Sequence, residues 1–233
     1  MRPVNKGNLP ITYTKYENYK KHLVENIGDY CSYCERRIPT LLAVEHKKPK
    51  DSNPHLECEW DNLLLSCVNC NSAKGDEDIN LNDYFFPDRD NTFPIFTYYS
   101  DGEVIANNHI ENEIKRKVEN TIELFGLNKN YIPHRNWIKD SLIQSALERW
   151  GQRLNTFEVA HDSLNNYREN QTLQMANQIG KTAKGFGFFS IWMKVFQDYP
   201  DVKNEIISAF KGTATDCFDS KGDSISPRPG GLI

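Results

Sequence analysis

Two cysteine knuckles, Cys31-Ser32-Tyr33-Cys34 and Cys67-Val68-Asn69-Cys70, stand 32 residues apart and constrain this chain more than any other feature. Each C-x-x-C presents two thiolates from a tight turn, and two such pairs complete a closed tetrahedral zinc site. The gap is longer than the common two-knuckle spacing, so the frame carries an insert. Zinc would bring both ends of that insert together, which suits a short segment with little core of its own. The other readings are a redox C-x-x-C or four unrelated buried thiols. The redox reading needs one pair in a βαβ context, which the sequence lacks. Cys58 and Cys217 have no paired knuckle and read as ordinary thiols.

Within the frame, Leu41-Leu42-Ala43-Val44 reads as a buried strand ending at Glu45-His46. Lys47 to Asp61, with Pro49, Pro54 and many charges, reads as a loop. Leu63-Leu64-Leu65 is a second short strand, and Asn71 to Lys74 opens a helix with Asn71 near its N-terminus. Ahead of the frame, Thr14-Lys15-Tyr16-Glu17 has the pattern of a capping box, followed at helical spacing by Tyr16, Tyr19 or Lys20, Leu23 and Ile27, with Gly28 as the stop.

The character changes near Pro87. Ile95 to Tyr99 and Val104-Ile105 flank Asp101-Gly102, a hairpin signal. Ile110, Ile114, Val118, Ile122 and Phe125 form a helical stripe closed by Gly126. A further helix is expected from about Pro133 to Trp150, two or three more between about Leu154 and Phe210, and an extended tail from Asp219. The expected fold class is α+β. A small α/β metal module covers residues 1–86, and a mainly helical region with one β-hairpin covers 87–233.

Hydrolysis of a phosphodiester needs a base for water, which suits a histidine. It also needs a hard cation to meet the developing charge, held by oxygen ligands. Glu45 can supply a carboxylate and Asn71 a side-chain carbonyl, while His46 faces the water. Asn62 can hold the His46 loop by hydrogen bonds, and Lys74 can contact a phosphate. Each residue also has a plainer reading. A lone His46 would be structural, Asn62 and Asn71 turn or cap residues, and Lys74 a solvated side chain. Lys47, Lys48 and Lys50 could guide nucleic acid or simply be a solvated loop, and His55 in the same loop is read as non-catalytic.

Composition narrows the class. The chain is 38% hydrophobic and 26% charged, as in ordinary globular proteins. No apolar run approaches the ~20 residues of a membrane helix, and no apolar stretch follows Met1 to Lys6 as a secretory signal would require. The expected compartment is therefore the cytoplasm, where thiols stay reduced. Net charge is −4, against a simple polyanion binder. Residues 1–75 carry 11 basic and 9 acidic residues, and the remainder 17 and 23. The positive footprint is thin: either the balance is chance, or a chain of this kind that cuts nucleic acid needs something else to help hold it.

In order and spacing, Cys31-x-x-Cys34, Glu45-His46, Asp61-Asn62-Leu63-Leu64 and Cys67-x-x-Cys70-Asn71-x-x-Lys74 resemble the HNH, or ββα-metal, endonucleases with a four-cysteine zinc frame. The resemblance covers about residues 31–75. It implies His46 as general base, Glu45 and Asn71 as ligands of one Mg²⁺ or Mn²⁺, Asn62 as the positioning residue, and a structural Zn²⁺ on Cys31, Cys34, Cys67 and Cys70. The third motif position is Asn71 rather than His, an H-N-N variant, and Glu45 stands where some members carry Asp. Met1 to Gly7, Tyr30 to Arg36, Val44 to Lys47, Leu124-Phe125-Gly126-Leu127-Asn128 and the end, Phe210 to Thr213 and Arg228 to Gly231, are similar to the retron- and Septu-associated HNH proteins. That likeness implies a PtuB-like anti-phage nuclease subunit cutting phage DNA beside an ABC-type, PtuA-like ATPase, which would dock on the helical region and tail. A non-catalytic zinc module that binds nucleic acid or protein, and an RNA or tRNA nuclease, remain the rival readings.

Overall fold

The computed structural model describes residues 1–8, 11–129 and 149–233. Ahead of the first knuckle, a 3₁₀ turn over Tyr16–Tyr19 runs into α1 (Lys20–Ile27). Tyr19, Leu23 and Ile27 bury one face, and Gly28 ends the helix at φ +80°. The expected capping box does not form. Tyr19 is the helix cap, without a side-chain bond, because Tyr19 is buried against Trp60, ring centroids 5.7 Å apart, and the 3₁₀ turn takes the place of the first α turn.

β1 (Ala43–His46) pairs antiparallel with β2 (Leu63–Ser66), placing Glu45 opposite Leu64 and His46 opposite Leu63. All of β2 is buried, so its apolar run does not alternate. Leu41 is not part of the buried strand: it is 76% exposed at φ +62°. α2 (Val68–Lys74) follows β2 and opens earlier than expected. Its cap is Cys67, whose Sγ accepts from the Cys70 amide at 3.4 Å, so Asn71 already lies inside the helix rather than at its start.

The hairpin expected at Asp101-Gly102 is present as β3 (Phe96–Tyr98) and β4 (Val104–Ala106). Gly102 adopts φ +87°, and a Cβ there would lie 2.6 Å from the Trp150 carbonyl oxygen. α3 (Asn112–Leu124) buries Val118, Thr121 and Leu124. The helix expected from Pro133 to Trp150 falls outside the described residues except for Arg149 and Trp150, which begin the described part of α4 (Arg149–Glu169). α5 (Leu173–Phe186), α6 (Phe189–Val195) and α7 (Pro200–Ala209) follow. α5 packs along α7, and α4 along α6.

One apolar core runs through both the strand–helix unit and the helical region. That core is continuous across residue 86. At the seam, Gly187 (φ +81°) approaches so closely that a Cβ would meet Arg37 N at 2.7 Å and Glu35 O at 2.8 Å. The Phe188 amide donates to Glu35 O at 2.9 Å, and Ser190 Oγ to Glu35 Oε1 at 2.6 Å. The tail has no helix, yet it folds back: Asn91 Nδ2 donates to Ile225 O at 2.6 Å, and Leu232 N to Asp90 Oδ1 at 2.8 Å. Among the described residues, no helix is long and apolar enough to cross a membrane.

Candidate metal and catalytic site

The two knuckles meet at the junction of β2, α2 and the chain after α1. The four sulfurs of Cys31, Cys34, Cys67 and Cys70 lie within 4.8 Å of one another, and all four residues are buried. The Cys34 and Cys67 sulfurs are 3.8 Å apart. A tetrahedron of Zn–S bonds of about 2.3 Å has edges of roughly 3.8 Å, so this donor set fits one tetrahedral ion. The thiols are far from equivalent. Hydrogen bonds from Cys31, Cys34 and Cys70 draw the Cys67 thiol well below its ordinary range, whereas burial first of all pushes the Cys70 thiol up. Four buried sulfurs this close cannot all ionise unless a cation offsets their charge.

Glu45 and His46 end β1, where Glu45 is buried and His46 only partly so. Glu45 is 2% exposed. The Tyr33 hydroxyl, inside the first knuckle, donates to its Oε2. Burial and then the charge of Glu45 push the Tyr33 hydroxyl well above its usual range, so it stays a donor. Lys74 Nζ lies 3.1 Å from Glu45 Oε1. The ammonium is close but not aligned, and Oε1 accepts no hydrogen bond. An oxygen left with spare acceptor capacity in a buried carboxylate fits a cation ligand.

His46 is half-buried, with the Tyr16 ring edge-on at 4.6 Å. Its Nε2 is 2.9 Å from the Glu57 carbonyl oxygen. A carbonyl only accepts, so Nε2 carries the hydrogen and Nδ1 of the neutral ring keeps its lone pair. Asn62 fixes the loop that carries Glu57. Its Nδ2 donates to Lys48 O at 2.9 Å and Leu56 O at 3.1 Å, and its Oδ1 accepts from Lys48 N at 2.8 Å. Asn71 is exposed on α2, three residues before Lys74 and hence on the same helix face.

This geometry lies within a segment, residues 31–77, that matches the model of the HNH endonuclease family. Residues 31–77 form an HNH domain. The chain is 44% identical over 62 residues to the Septu protein PtuB of Bacillus thuringiensis, a stretch covering 25% of this chain and 24% of that protein. It is 26% identical over 116 residues to an HNH protein of retron Vc95 from Vibrio cholerae serotype O1 biovar El Tor, covering 45% of this chain and 55% of that one. The matched stretches thus span about a quarter and about half of these relatives' lengths.

Within the HNH domain the expected basic contacts separate. Lys47 is buried and bonds Asp88 Oδ2 at 2.9 Å, its ammonium over the Phe86 ring, so the expectation that it meets nucleic acid is corrected. Asp88 also takes Lys6 at 2.9 Å. Lys74 points inward to Glu45 rather than into solvent. Lys48 is at the surface, paired with exposed Asp78 at 2.8 Å, and Lys50 sits over the Tyr16 ring. Two residues escaped the sequence reading. Tyr33 lay hidden between the cysteines of a knuckle. Arg149, outside the HNH domain, donates from Nη1 to Cys70 Sγ at 3.0 Å and to Phe125 O at 2.9 Å, and from Nη2 to Gly126 O. Tyr33 carried only a positional hint, and Arg149 none, because its partners are far away in sequence.

Proposed function

We propose that the chain is a metal-dependent endonuclease that hydrolyses phosphodiester bonds in DNA as the nuclease subunit of an anti-phage defence system. The observation that carries this reading is the contact of His46 Nε2 with the Glu57 carbonyl oxygen at 2.9 Å. With Nε2–H held by the Glu57 carbonyl, Nδ1 is the ring's free base and takes the proton of the attacking water. Glu45 and Asn71 would hold a Mg²⁺ or Mn²⁺ ion, which supplies Lewis-acid stabilisation of the charge that develops on the phosphate and leaving oxygens. Tyr33 orients the Glu45 carboxylate, Asn62 keeps the His46 loop in register, and the four cysteines hold a structural zinc.

The two relatives named for a Septu system and a retron support the defence setting. The partner in this reading is an ABC-type ATPase, PtuA-like, that docks on the helical region and tail and helps hold the target. The excess of acidic residues beyond residue 75 supports that division of labour, since this part of the chain has little attraction for DNA of its own.

The test is cleavage of plasmid DNA with Mg²⁺ or Mn²⁺, by the purified chain alone and with the ATPase. Cleavage by wild type that His46→Ala abolishes is the expected result. Intact DNA with wild type under every condition sinks the reading and favours a non-catalytic zinc module. Cleavage of RNA but not DNA would keep the His46 chemistry and overturn the substrate.

A further inference from the structure

A divalent ion held by four thiolates leaves a centre with about two negative charges. Burying such a centre is costly unless hydrogen bonds or nearby cations offset the charge. Among the described residues, one such cation comes from outside the segment 31–77. Arg149, at the start of the described part of α4, is 5% exposed, and its Nη1 lies 3.0 Å from Cys70 Sγ. The same guanidinium grips the Phe125 and Gly126 carbonyls that close α3. The Phe125 ring in turn stacks on Tyr33 at 3.5 Å between centroids, inside the first knuckle. One side chain thereby reaches the second knuckle directly and the first through Phe125.

We propose that Arg149 is a positioning residue of the four-cysteine centre, donating a hydrogen bond to the Cys70 thiolate and coupling metal retention to the packing of α4. The planar fork of arginine serves a sulfur and two carbonyls at once, which a lysine ammonium on a flexible stem cannot reproduce. The proposal rests on the four cysteines holding a metal and is independent of the nuclease reading.

Arg153, one turn further along α4, provides the control. It is equally buried, but it donates to carbonyls instead, from Nε to Gly102 O at 2.5 Å and from Nη2 to Leu127 O at 2.9 Å. The experiment loads the full chain with cobalt(II) in place of zinc and compares wild type, Arg149→Met, Arg149→Lys and Arg153→Met. It records the thiolate-to-cobalt charge-transfer band and the affinity for cobalt against a chelator. A hydrogen bond stabilises the sulfur lone pairs. Its loss in Arg149→Met is therefore expected to move the band to lower energy and weaken binding on the order of ten- to a hundred-fold. Arg149→Lys falls between, and answers the question if the methionine variant does not fold. Arg153→Met should lower thermal stability with the band unmoved. Wild-type band and affinity in both Arg149 variants overturn the proposal, as does the same band shift in Arg153→Met. A wild type with no thiolate–cobalt band would bring down the metal reading of the cysteines, and this inference with it.

Discussion

The hydroxyl of Tyr33, one residue before the knuckle cysteine Cys34, donates to Oε2 of Glu45, the carboxylate that precedes His46. The four-cysteine frame therefore contributes directly to the orientation of the group proposed to bind the catalytic ion. Tyr33→Phe removes this bond while keeping the ring on Phe125. It is expected to cost about 1.5–3 kcal/mol, as a bond to a charged acceptor does, and to lower DNA cleavage roughly ten- to a hundred-fold. Zinc content measured by elemental analysis should not change. A cleavage rate equal to wild type would remove the hydroxyl from the mechanism.

His46 is half-buried, and its ring bond goes to a single backbone carbonyl. His46→Ala should therefore fold, with a thermal midpoint close to wild type. The loss of the proton acceptor is expected to lower cleavage by about 10²–10⁴-fold. Thermal melts and plasmid cleavage on the same preparation check both halves. A much lower thermal midpoint, with wild-type cleavage by the fraction that remains folded, would point to a structural histidine.

Asn62 is 5% exposed and uses both ends of its amide on the loop after His46. Asn62→Ala leaves two carbonyls and one amide without their partner and should cost about 1–3 kcal/mol for each buried group left unsatisfied. Asn62→Asp retains an acceptor for Lys48 N but has no donor for Lys48 O and Leu56 O. Denaturant melts should therefore rank wild type above both variants, and cleavage should fall with them. Equal stability of all three would show that this clasp does not hold the loop.

Asp88 makes a pH prediction with a definite sign. Burial pushes its carboxyl up, but Lys47 and Lys6, both at 2.9 Å, outweigh this and hold it below its usual value of 3.8. A carboxyl depressed in the folded state contributes stability that is complete above its unfolded pKa and disappears as pH falls through the folded one. Asp88→Asn leaves two buried ammonium groups unmatched and should cost about 3–5 kcal/mol near neutrality. The loss of stability below about pH 4 should be shallower in the variant than in wild type. Melts from pH 7 to 2.5 measure both slopes, and parallel curves would contradict the prediction.

Much of the site was legible because its signals are local. Two C-x-x-C pairs, Glu45 beside His46 on a strand end, and Asp101-Gly102 between apolar runs each depend on spacing of a few residues, and the structure places all three in the elements expected. The misreadings share the opposite character. Thr14 to Glu17 has the pattern of a cap, yet burial of Tyr19 beside Trp60 set the helix start. Leu41 has the composition of a core residue but stands exposed at a left-handed turn. Lys47 looks like one of three surface lysines until Asp88, 41 residues later, is brought against it.

By itself the sequence determined which donors exist and how far apart they lie along the chain: four thiols in two knuckles, a carboxylate before a histidine, an amide at the strand start. Those are covalent facts, and metal and proton chemistry depend on them directly. Only the tertiary structure decided which nitrogen of His46 meets the Glu57 carbonyl, which lysine faces Glu45, and that a guanidinium from α4 closes over Cys70. Each of those depends on groups distant in sequence sharing one buried space, where an unpaired charge or polar atom is costly. Spacing along the chain carries no record of that requirement.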